Sequence, residues 1–269
     1  MLKPKRLVWI VLLLSQLTLL GFLFPSVSTF YKIPAAPLAA PQTLIAPKAA
    51  GFDINKYSID DPKSLWIVVN KSRPLRNIDY VPQNLVLPNY KNPNIYNPKH
   101  QVLDARAADA MVEMAAAASA AGVGNLVLSS TYRSFVSQTQ VHNQFISRLG
   151  LTGGEALAAR PGYSEHQTGL AADIVTPSEG CLALPCYAST AAGEWLAANA
   201  YKYGWVLRYP SEMTFQTGYH FEPWHYRYVG KELAAYMHDN KLSTLEEVFN
   251  LPYSPDYSST ESTNALASI

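Results

Sequence analysis

The sequence predicts an α+β fold preceded by an N-terminal membrane helix. Helix-like and strand-like stretches mix along the chain without the strict β–α–β alternation that is typical of parallel-sheet proteins. The chain has 269 residues, of which 48% are hydrophobic, and this suffices for one good-sized core. A long uncharged apolar run near the N-terminus precedes all of these stretches.

The N-terminus has the composition of a membrane anchor or an export signal. "MLKPKR" is basic, and the following run of 18 apolar or uncharged residues (7–24) is just long enough to span a bilayer. "PSVSTFYKI" offers no clean cleavage site, so we expect residues 1–30 to form a cytoplasmic basic flank and an uncleaved anchor. This predicts a single-pass protein of the cell membrane with an extracytoplasmic domain. Secretion after signal cleavage is the alternative.

Composition divides the rest of the chain into three parts. Residues 31–55 are rich in Pro and Ala, which indicates a semi-extended linker. Residues 56–250 carry the periodic stretches and form the predicted folded domain. Residues 251–269 are polar and turn-rich, which predicts a disordered tail.

The first half of the domain contains two predicted strands and two predicted helices. The β-branched run "SLWIVVN" (64–70) predicts a strand, and the proline-containing stretch after it predicts an ordered loop. Apolar residues at helical spacing predict helices over 100–122 and 134–150, each ending at a glycine. "NLVLSSTYRS" (125–134) between them predicts the second strand.

The second half contains three predicted strands and three predicted helices. "TGLAADIV" (168–175), "WVLRYP" (205–210) and "YHFEPWHYRYV" (219–229) predict strands, the last interrupted by its proline. The predicted helices cover residues 190–204, 231–240 and 243–250. Ser243 with Glu246 fits a capping box at the start of the last helix.

Charge and cysteine content exclude one function class and indicate a compartment. The formal net charge is +1 without a basic face for nucleic acid phosphates, so no nucleic acid partner is expected. The two cysteines, Cys181 and Cys186 in "CLALPC", indicate a local disulfide, as expected in an exported protein. A two-thiol metal site is the alternative, although no histidine lies nearby in sequence.

Five ionisable residues in strand-like segments suggest a catalytic metal site. Two histidines and one carboxylate, here His166, Asp173 and His225, are a standard three-ligand set for catalytic zinc. Glu222 suits a general base, and Arg133 suits a partner for a developing oxyanion or a substrate carboxylate. Together they imply metal-assisted hydrolysis of an acyl bond.

Each of these residues also has an ordinary structural explanation. His166 could be a satisfied loop histidine, Asp173 a turn cap, and Arg133 a surface ion-pair residue. Glu222 and His225 could pair with each other at the surface. Their occurrence together in buried-looking segments of one exported domain favours the metal site.

Three motifs resemble those of the VanY-type D-alanyl-D-alanine carboxypeptidases. They are "STYRSFVSQ" (130–138), "RPGYSEHQTGLAADI" (160–174) and "FEPWHYRYVG" (221–230). "LWIVVNKSRPL" followed by "YVPQNLV" is similar to the start of that family's domain. The resemblance covers roughly residues 56–250, and its motifs are long and stand in the expected order. Thr131 departs from it, because the family often has Gly there.

The resemblance implies a fold and a zinc site. The family fold is a compact α+β domain with a central antiparallel sheet flanked by helices, shared with hedgehog-type signalling domains. By match to the family's motifs, zinc is expected on His166, Asp173 and His225. Glu222 is expected to be the base, and Arg133 to stabilise charge on the scissile carbonyl.

The same motifs imply a substrate pocket. Gln138 and Ser164 match positions that help to hold the terminal D-alanine, and Tyr132 and Trp224 are expected to shape the pocket walls. The "CLALPC" insert looks peculiar to this chain, and we expect it to rim the cleft.

The implied function is zinc-dependent removal of the C-terminal D-alanine from peptidoglycan stem peptides by a monomer. The zinc set does not separate this activity from an L,D-carboxypeptidase or a D-Ala-D-Ala dipeptidase of the same fold. A zinc-stabilised cell-wall-binding domain without hydrolysis is the alternative from another class. The presence of both Glu222 and Arg133 argues against that alternative.

Overall fold

The structure, a computed structural model, describes residues 52–89 and 101–257. The predicted membrane segment (1–30) and most of the predicted linker (31–55) lie outside these residues. Within the described ranges, no helix is both long and apolar enough to cross a membrane.

A central antiparallel sheet organises the domain. A small ladder pairs β1 (Leu85–Val86) with β2 (Leu103–Asp104). The central sheet consists of β3 (Val127–Ser130), β4 (Ala171–Val175), β5 (Trp205–Leu207) and β6 (His225–Tyr228). Its order is β3–β4–β6–β5, and every neighbouring pair is antiparallel. The predicted α+β fold with an antiparallel sheet is therefore confirmed.

Six α-helices lie in the described part of the chain. They are α1 (Ala105–Ala120), α2 (Phe135–Glu155), α3 (Ala191–Asn199), α4 (Thr214–Thr217), α5 (Lys231–Asp239) and α6 (Leu245–Val248). Asp104 caps the N-terminus of α1, where its side chain accepts a hydrogen bond from the backbone N–H of Arg106. Gly150, the predicted end of the second helix, has a non-helical φ of 71°, so α2 consists of two helical segments joined by a kink at this glycine.

One face of the sheet contributes to a dry core shared with α1 and α3. This core includes Met111, Met114, Ala172, Ile174 and Leu196. Because side chains alternate along a strand, Asp173 in β4 points to the other face. His225 is its partner residue across the β4–β6 register and shares that face. The sheet therefore separates an apolar core from a polar face.

The stretch 64–70 is buried but is not a strand. Its apolar side chains belong to the core, yet only Asn70 at its end forms an isolated β-bridge. A side chain takes the place of a partner strand, since Arg227 donates to the carbonyl oxygens of Leu65 and Ile67. An apolar β-branched run predicts burial, but it cannot by itself supply a neighbouring strand.

The last helix starts one residue later than its predicted capping box. The Thr244 hydroxyl accepts from the backbone N–H of Glu247, and the Glu247 carboxylate accepts from the backbone N–H of Thr244. Glu246, predicted to pair with Ser243 in that box, is instead 1% exposed. The shift leaves the Glu246 carboxylate free to make other contacts.

The chain beyond α6 packs onto the domain as far as the structure describes it. Ser254 is fully buried, and its hydroxyl accepts from the backbone N–H of Ser72. The Tyr257 hydroxyl accepts from the backbone N–H of Arg160 at 2.8 Å. The prediction of a disordered tail over 251–269 is therefore wrong for residues 251–257. Specific hydrogen bonds fix this segment although its composition is polar.

Candidate active site

Three elements bring two histidines and an aspartate together on the polar face of the sheet. Asp173 lies in β4, and His225 begins β6 directly across from it. His166 lies in a short 3-10 turn (Glu165–Thr168) that leads into β4. Gly169 ends this turn with a φ of 71°, and a Cβ there would lie within 2.9 Å of a β1 side chain. Only a glycine allows so tight an entry to the strand.

The ligand-type atoms of these residues converge. His166 Nδ1 lies 2.6 Å from the carbonyl oxygen of Thr131, so this nitrogen carries the proton and Nε2 faces Asp173 Oδ2 at 3.5 Å. His225 Nδ1 lies 3.2 Å from Asp173 Oδ1. One ligand atom from each of the three residues lies within 4.8 Å of the other two.

The arrangement fits a metal ion. His166 Nε2 and Asp173 Oδ1 are both buried, and neither atom makes a hydrogen bond within the described residues. Buried polar atoms without a partner are costly unless something else binds them. Two imidazole nitrogens and a carboxylate oxygen form the donor set of catalytic zinc sites that leave one position open.

The surroundings set the protonation states of these groups. Burial and Arg133 lower the pKa of His166 to about 4, so its imidazole is neutral at pH 7. Burial alone would raise the pKa of Asp173, but the two histidines hold it well below its usual range. Burial would lower the pKa of His225, but the carboxylates of Asp173 and Glu165 raise it to about 9. These two carboxylates therefore favour the protonated imidazole when no metal ion is bound.

Glu222 lies beside the same cluster. Its carbonyl oxygen accepts a hydrogen bond from the backbone N–H of His225, so a tight turn connects the two residues. The Glu222 Oε2 atom lies 3.6 Å from His225 Nδ1. Burial, with a further contribution from Asp173, raises the pKa of Glu222 to about 8. A carboxyl group with a pKa near neutrality suits proton transfer in both directions.

Arg133 faces the cluster from the segment after β3. Its Nε donates to Ser130 Oγ at 3.2 Å and its Nη1 to Gln138 Oε1 at 2.6 Å. Its Nη2 lies 3.7 Å from Asp173 Oδ2. Gln138 is fully buried, and its amide nitrogen donates to the carbonyl oxygen of Ala159. Both ends of the Gln138 amide therefore contact the protein itself, and one of them orients Arg133.

A cleft of about 610 Å³ opens onto these groups. The metal cluster, Glu222 and Arg133 all line it, and so do Ser164 and Trp224, which were predicted to contact substrate. Helix α2 and the loop before α3 contribute apolar lining, which includes Val141, Phe145, Ala183, Leu184 and Pro185. The cleft is therefore polar beside the metal-binding cluster and largely apolar where α2 and the loop before α3 line it.

Tyr132 does not line the cleft, although it was predicted to shape a pocket wall. Its backbone N–H donates to the carbonyl oxygen of Val102, which holds the segment extended. Successive side chains of an extended segment point to opposite sides, and Arg133 takes the side of the cleft. Tyr132 therefore points away from it.

The predicted disulfide joins Cys181 to Cys186, with a Cα–Cα distance of 5.7 Å. It closes the loop that contributes Ala183, Leu184 and Pro185 to the cleft lining. The two-thiol metal site is excluded because both sulfurs are bonded to each other. The insert lies at the cleft, as the sequence suggested.

Glu165, which precedes His166 in the same turn, contacts the site although its motif position did not predict this. Its side chain is fully buried, and its Oε2 lies 3.6 Å from His225 Nε2. A carboxylate directly beside a candidate metal ligand was the available signal. Its partners come from distant parts of the chain and could not be read from spacing.

Comparison with known proteins is consistent with this site. A family model described as "VanY: D-alanyl-D-alanine carboxypeptidase" matches residues 100–231. The putative carboxypeptidase YodJ of Bacillus subtilis (strain 168) is 40% identical over 192 residues, which are 71% of this chain and 69% of that protein. A D-alanyl-D-alanine carboxypeptidase of Enterococcus faecium is 36% identical over 126 residues, which are 47% of this chain and 37% of that protein.

Two solved structures share the fold. An LD-carboxypeptidase, LdcB, has a TM-score of 0.65 and 38% identity, covering 76% of this chain and 92% of its own. A mutant of the vancomycin resistance D,D-pentapeptidase VanY in complex with Zn(II) has a TM-score of 0.56 and 31% identity, covering 71% of this chain and 100% of its own. The similar proteins thus include both D,D- and L,D-acting enzymes.

Proposed function

The chain belongs to the VanY family of D-alanyl-D-alanine carboxypeptidases, and from this membership we infer a zinc enzyme that removes the C-terminal D-alanine from peptidoglycan stem peptides. The observation that carries the proposal is geometric. Three ligand atoms from His166, Asp173 and His225 lie within 4.8 Å of one another, beside Glu222 and Arg133 in one cleft.

The three ligand residues would hold zinc through His166 Nε2, a carboxylate oxygen of Asp173 and His225 Nδ1. Bound zinc supplies a Lewis acid that acidifies water and polarises a carbonyl oxygen. The antiparallel pairing of β4 and β6 fixes the backbones of Asp173 and His225. The Thr131 carbonyl oxygen fixes the orientation of the His166 ring.

Glu222 would move the proton. Its carboxylate takes a proton from the attacking water, and it later delivers that proton to the amine of the leaving D-alanine. Burial raises its pKa, which makes the carboxylate a stronger proton acceptor. The turn between Glu222 and His225 holds the carboxylate beside the ligand.

Arg133 would stabilise the negative charge that develops on the scissile carbonyl oxygen. Its guanidinium is fixed by Ser130 and Gln138 before substrate arrives, so little reorganisation is needed during the reaction. Ser164 and Trp224 line the same cleft and are proposed to contact the terminal D-alanine residue. Gln138 would act through Arg133.

A second candidate is an L,D-carboxypeptidase, which removes D-alanine from a tetrapeptide. The similarity to LdcB favours it, because its identity and TM-score both exceed those of the D,D-acting VanY structure. The zinc ligands are compatible with either specificity. We give precedence to the D,D activity because the matching family model and the named Enterococcus relatives carry it.

The test compares the two peptides directly. D-alanine release is measured from a stem pentapeptide and from the corresponding tetrapeptide, each with zinc and with a chelator. We expect zinc-dependent release from the pentapeptide and little from the tetrapeptide. Preferential release from the tetrapeptide would establish the second candidate, and no release from either would favour a binding domain without hydrolysis.

We further propose a monomer whose domain lies outside the cytoplasm and is anchored by residues 7–24. The basic N-terminal flank and the disulfide between Cys181 and Cys186 support an exported domain. One chain supplies all residues of the site, which supports the monomer.

The full-length chain should sediment with membranes and be degraded by external protease in wall-free cells. A shortened chain in the medium would indicate secretion, and a dimer mass in light scattering would contradict the monomer.

A further inference from the structure

Glu165 is a fully buried carboxylate held by two fully buried arginines. Its Oε1 accepts from Arg208 Nε at 2.9 Å and from Arg227 Nη1 at 2.8 Å. The side chains of all three residues are at most 1% exposed. Arg208 comes from the segment after β5 and Arg227 from β6, so the carboxylate is fixed from two sides.

A second carboxylate balances the charge of Arg208. Glu246 in α6 accepts from Arg208 Nη1 at 2.9 Å and from Nη2 at 2.7 Å. Two glutamates and two arginines thus form a neutral buried group. Burying ion pairs is costly, and apolar residues of similar size often stabilise a protein as well or better. Stability alone therefore does not account for this group.

The unshared oxygen of Glu165 indicates what the group does. Both arginines bind Oε1, whereas Oε2 makes no hydrogen bond within the described residues. His225 Nε2 lies 3.6 Å from Oε2, and within the described residues that nitrogen also makes no hydrogen bond. A movement of less than about 1 Å would join them at ordinary hydrogen-bond distance. The opposite nitrogen of the same ring, Nδ1, faces Asp173.

We propose that Glu165 is a positioning residue for the metal centre, which accepts the Nε2–H of His225 and thereby presents Nδ1 to the metal. Arg208 and Arg227 hold the carboxylate in place for this contact. His166 has the corresponding support from the Thr131 carbonyl oxygen, so each histidine has its own partner. A carboxylate or carbonyl behind a ligating histidine fixes its tautomer and strengthens metal binding. The inference rests on the proposed zinc site, but not on which peptide is cleaved.

Zinc affinity of the full-length protein tests the proposal. The dissociation constant is measured by competition with a chromophoric chelator for wild type, Glu165→Gln and Glu246→Gln. Glu246→Gln is the matched control, because it removes one negative charge from the same arginine without touching His225. We expect Glu165→Gln to weaken zinc binding about 10- to 100-fold and Glu246→Gln to change it less than about 3-fold. Equal affinities in all three proteins, or an equal loss in both variants, would overturn the proposal.

A measurement on the wild type keeps the test independent of whether the variants fold. In the zinc-loaded protein, proton NMR should show a slowly exchanging imidazole Nε2–H of His225 shifted downfield by its carboxylate partner. Loss of this signal to rapid solvent exchange would contradict the proposal. Wild type that binds zinc but releases no D-alanine would contradict the proposed function and leave this inference standing.

Discussion

Arg133 shows how one residue depends on its neighbours for its orientation. The guanidinium lies near Asp173 and is held by hydrogen bonds to Ser130 and Gln138. Gln138 in turn is fixed to the Ala159 carbonyl oxygen. The structure therefore favours an indirect role for Gln138 in place of the substrate contact that the resemblance implied.

Substitution of Gln138 by Met should lower kcat about tenfold. Arg133 would lose the hydrogen bond that orients its guanidinium toward the scissile carbonyl oxygen. Gln140→Met, at an exposed position on the same helix, is the control and should leave kcat unchanged. The effect of Gln138→Met should vanish in an Arg133→Ala background, as expected for residues that act as one unit. An undiminished effect in that background would show that Gln138 contacts the substrate directly.

At the residue scale, the sequence predicted the chemistry but not the support around it. His166, Asp173, Glu222 and His225 could be found because their residue types and motif spacing are distinctive. The contacts of Glu165 and Gln138 could not. The partners of Glu165 come from distant segments, and Gln138 links Arg133 to a backbone carbonyl oxygen only in the folded geometry. Pairings of this kind depend on the folded geometry and leave no periodic pattern.

At the scale of elements, two features build the site. Alternation along β4 and β6 places Asp173 and His225 on the polar face while their neighbours fill the core. The disulfide loop between β4 and α3 then adds Ala183, Leu184 and Pro185 to the cleft lining. The sheet fixes the reacting groups, and the loop contributes to the walls around them.

The disulfide loop offers a matched pair of leucines. Leu184 is 53% exposed and lines the cleft, whereas Leu182 is 37% exposed and does not. Leu184→Ser should raise the KM for the pentapeptide several-fold with little change in kcat, because it removes apolar contact area far from the reacting groups. Leu182→Ser should leave both constants unchanged. Equal effects of the two substitutions would show that the loop does not contact substrate through Leu184.

Helices were predictable from periodicity, but one strand-like signal was misleading. The run 64–70 is buried without a strand partner, and the carbonyl groups of Leu65 and Ile67 are satisfied by Arg227. The first helical segment of α2 ends at Gly150 as predicted, but a second segment follows it directly across a kink. Sequence patterns report burial and conformational freedom, whereas pairing and helix continuation depend on what the rest of the chain places nearby.

At the scale of the whole molecule, the C-terminal segment packs against residues 70–72. Lys71 donates to the carbonyl oxygen of Pro255, and Ser254 bonds to Asn70 and Ser72. Tyr257 packs over the Arg160 guanidinium at 4.0 Å. The C-terminal segment therefore ties residues 70–72 to the segment that leads to Ser164 and His166.

Tyr257→Phe should lower the free energy of unfolding by about 1 kcal/mol, because the backbone N–H of Arg160 loses its acceptor. Tyr253→Phe is the control, since Tyr253 is 54% exposed and its hydroxyl has no hydrogen bond among the described contacts. Urea denaturation of both variants measures the difference. If the two variants were equally stable, the Tyr257 hydroxyl would not secure the segment.

In this zinc peptidase, Glu222 is proposed to transfer the proton. The most direct measurement is the rate of D-alanine release from a stem pentapeptide by wild type and Glu222→Gln, with the zinc content of each protein determined in parallel. We predict one zinc per chain in both proteins and a rate about 100- to 10,000-fold lower in the variant. A variant that carries zinc and releases D-alanine at the wild-type rate would contradict the account.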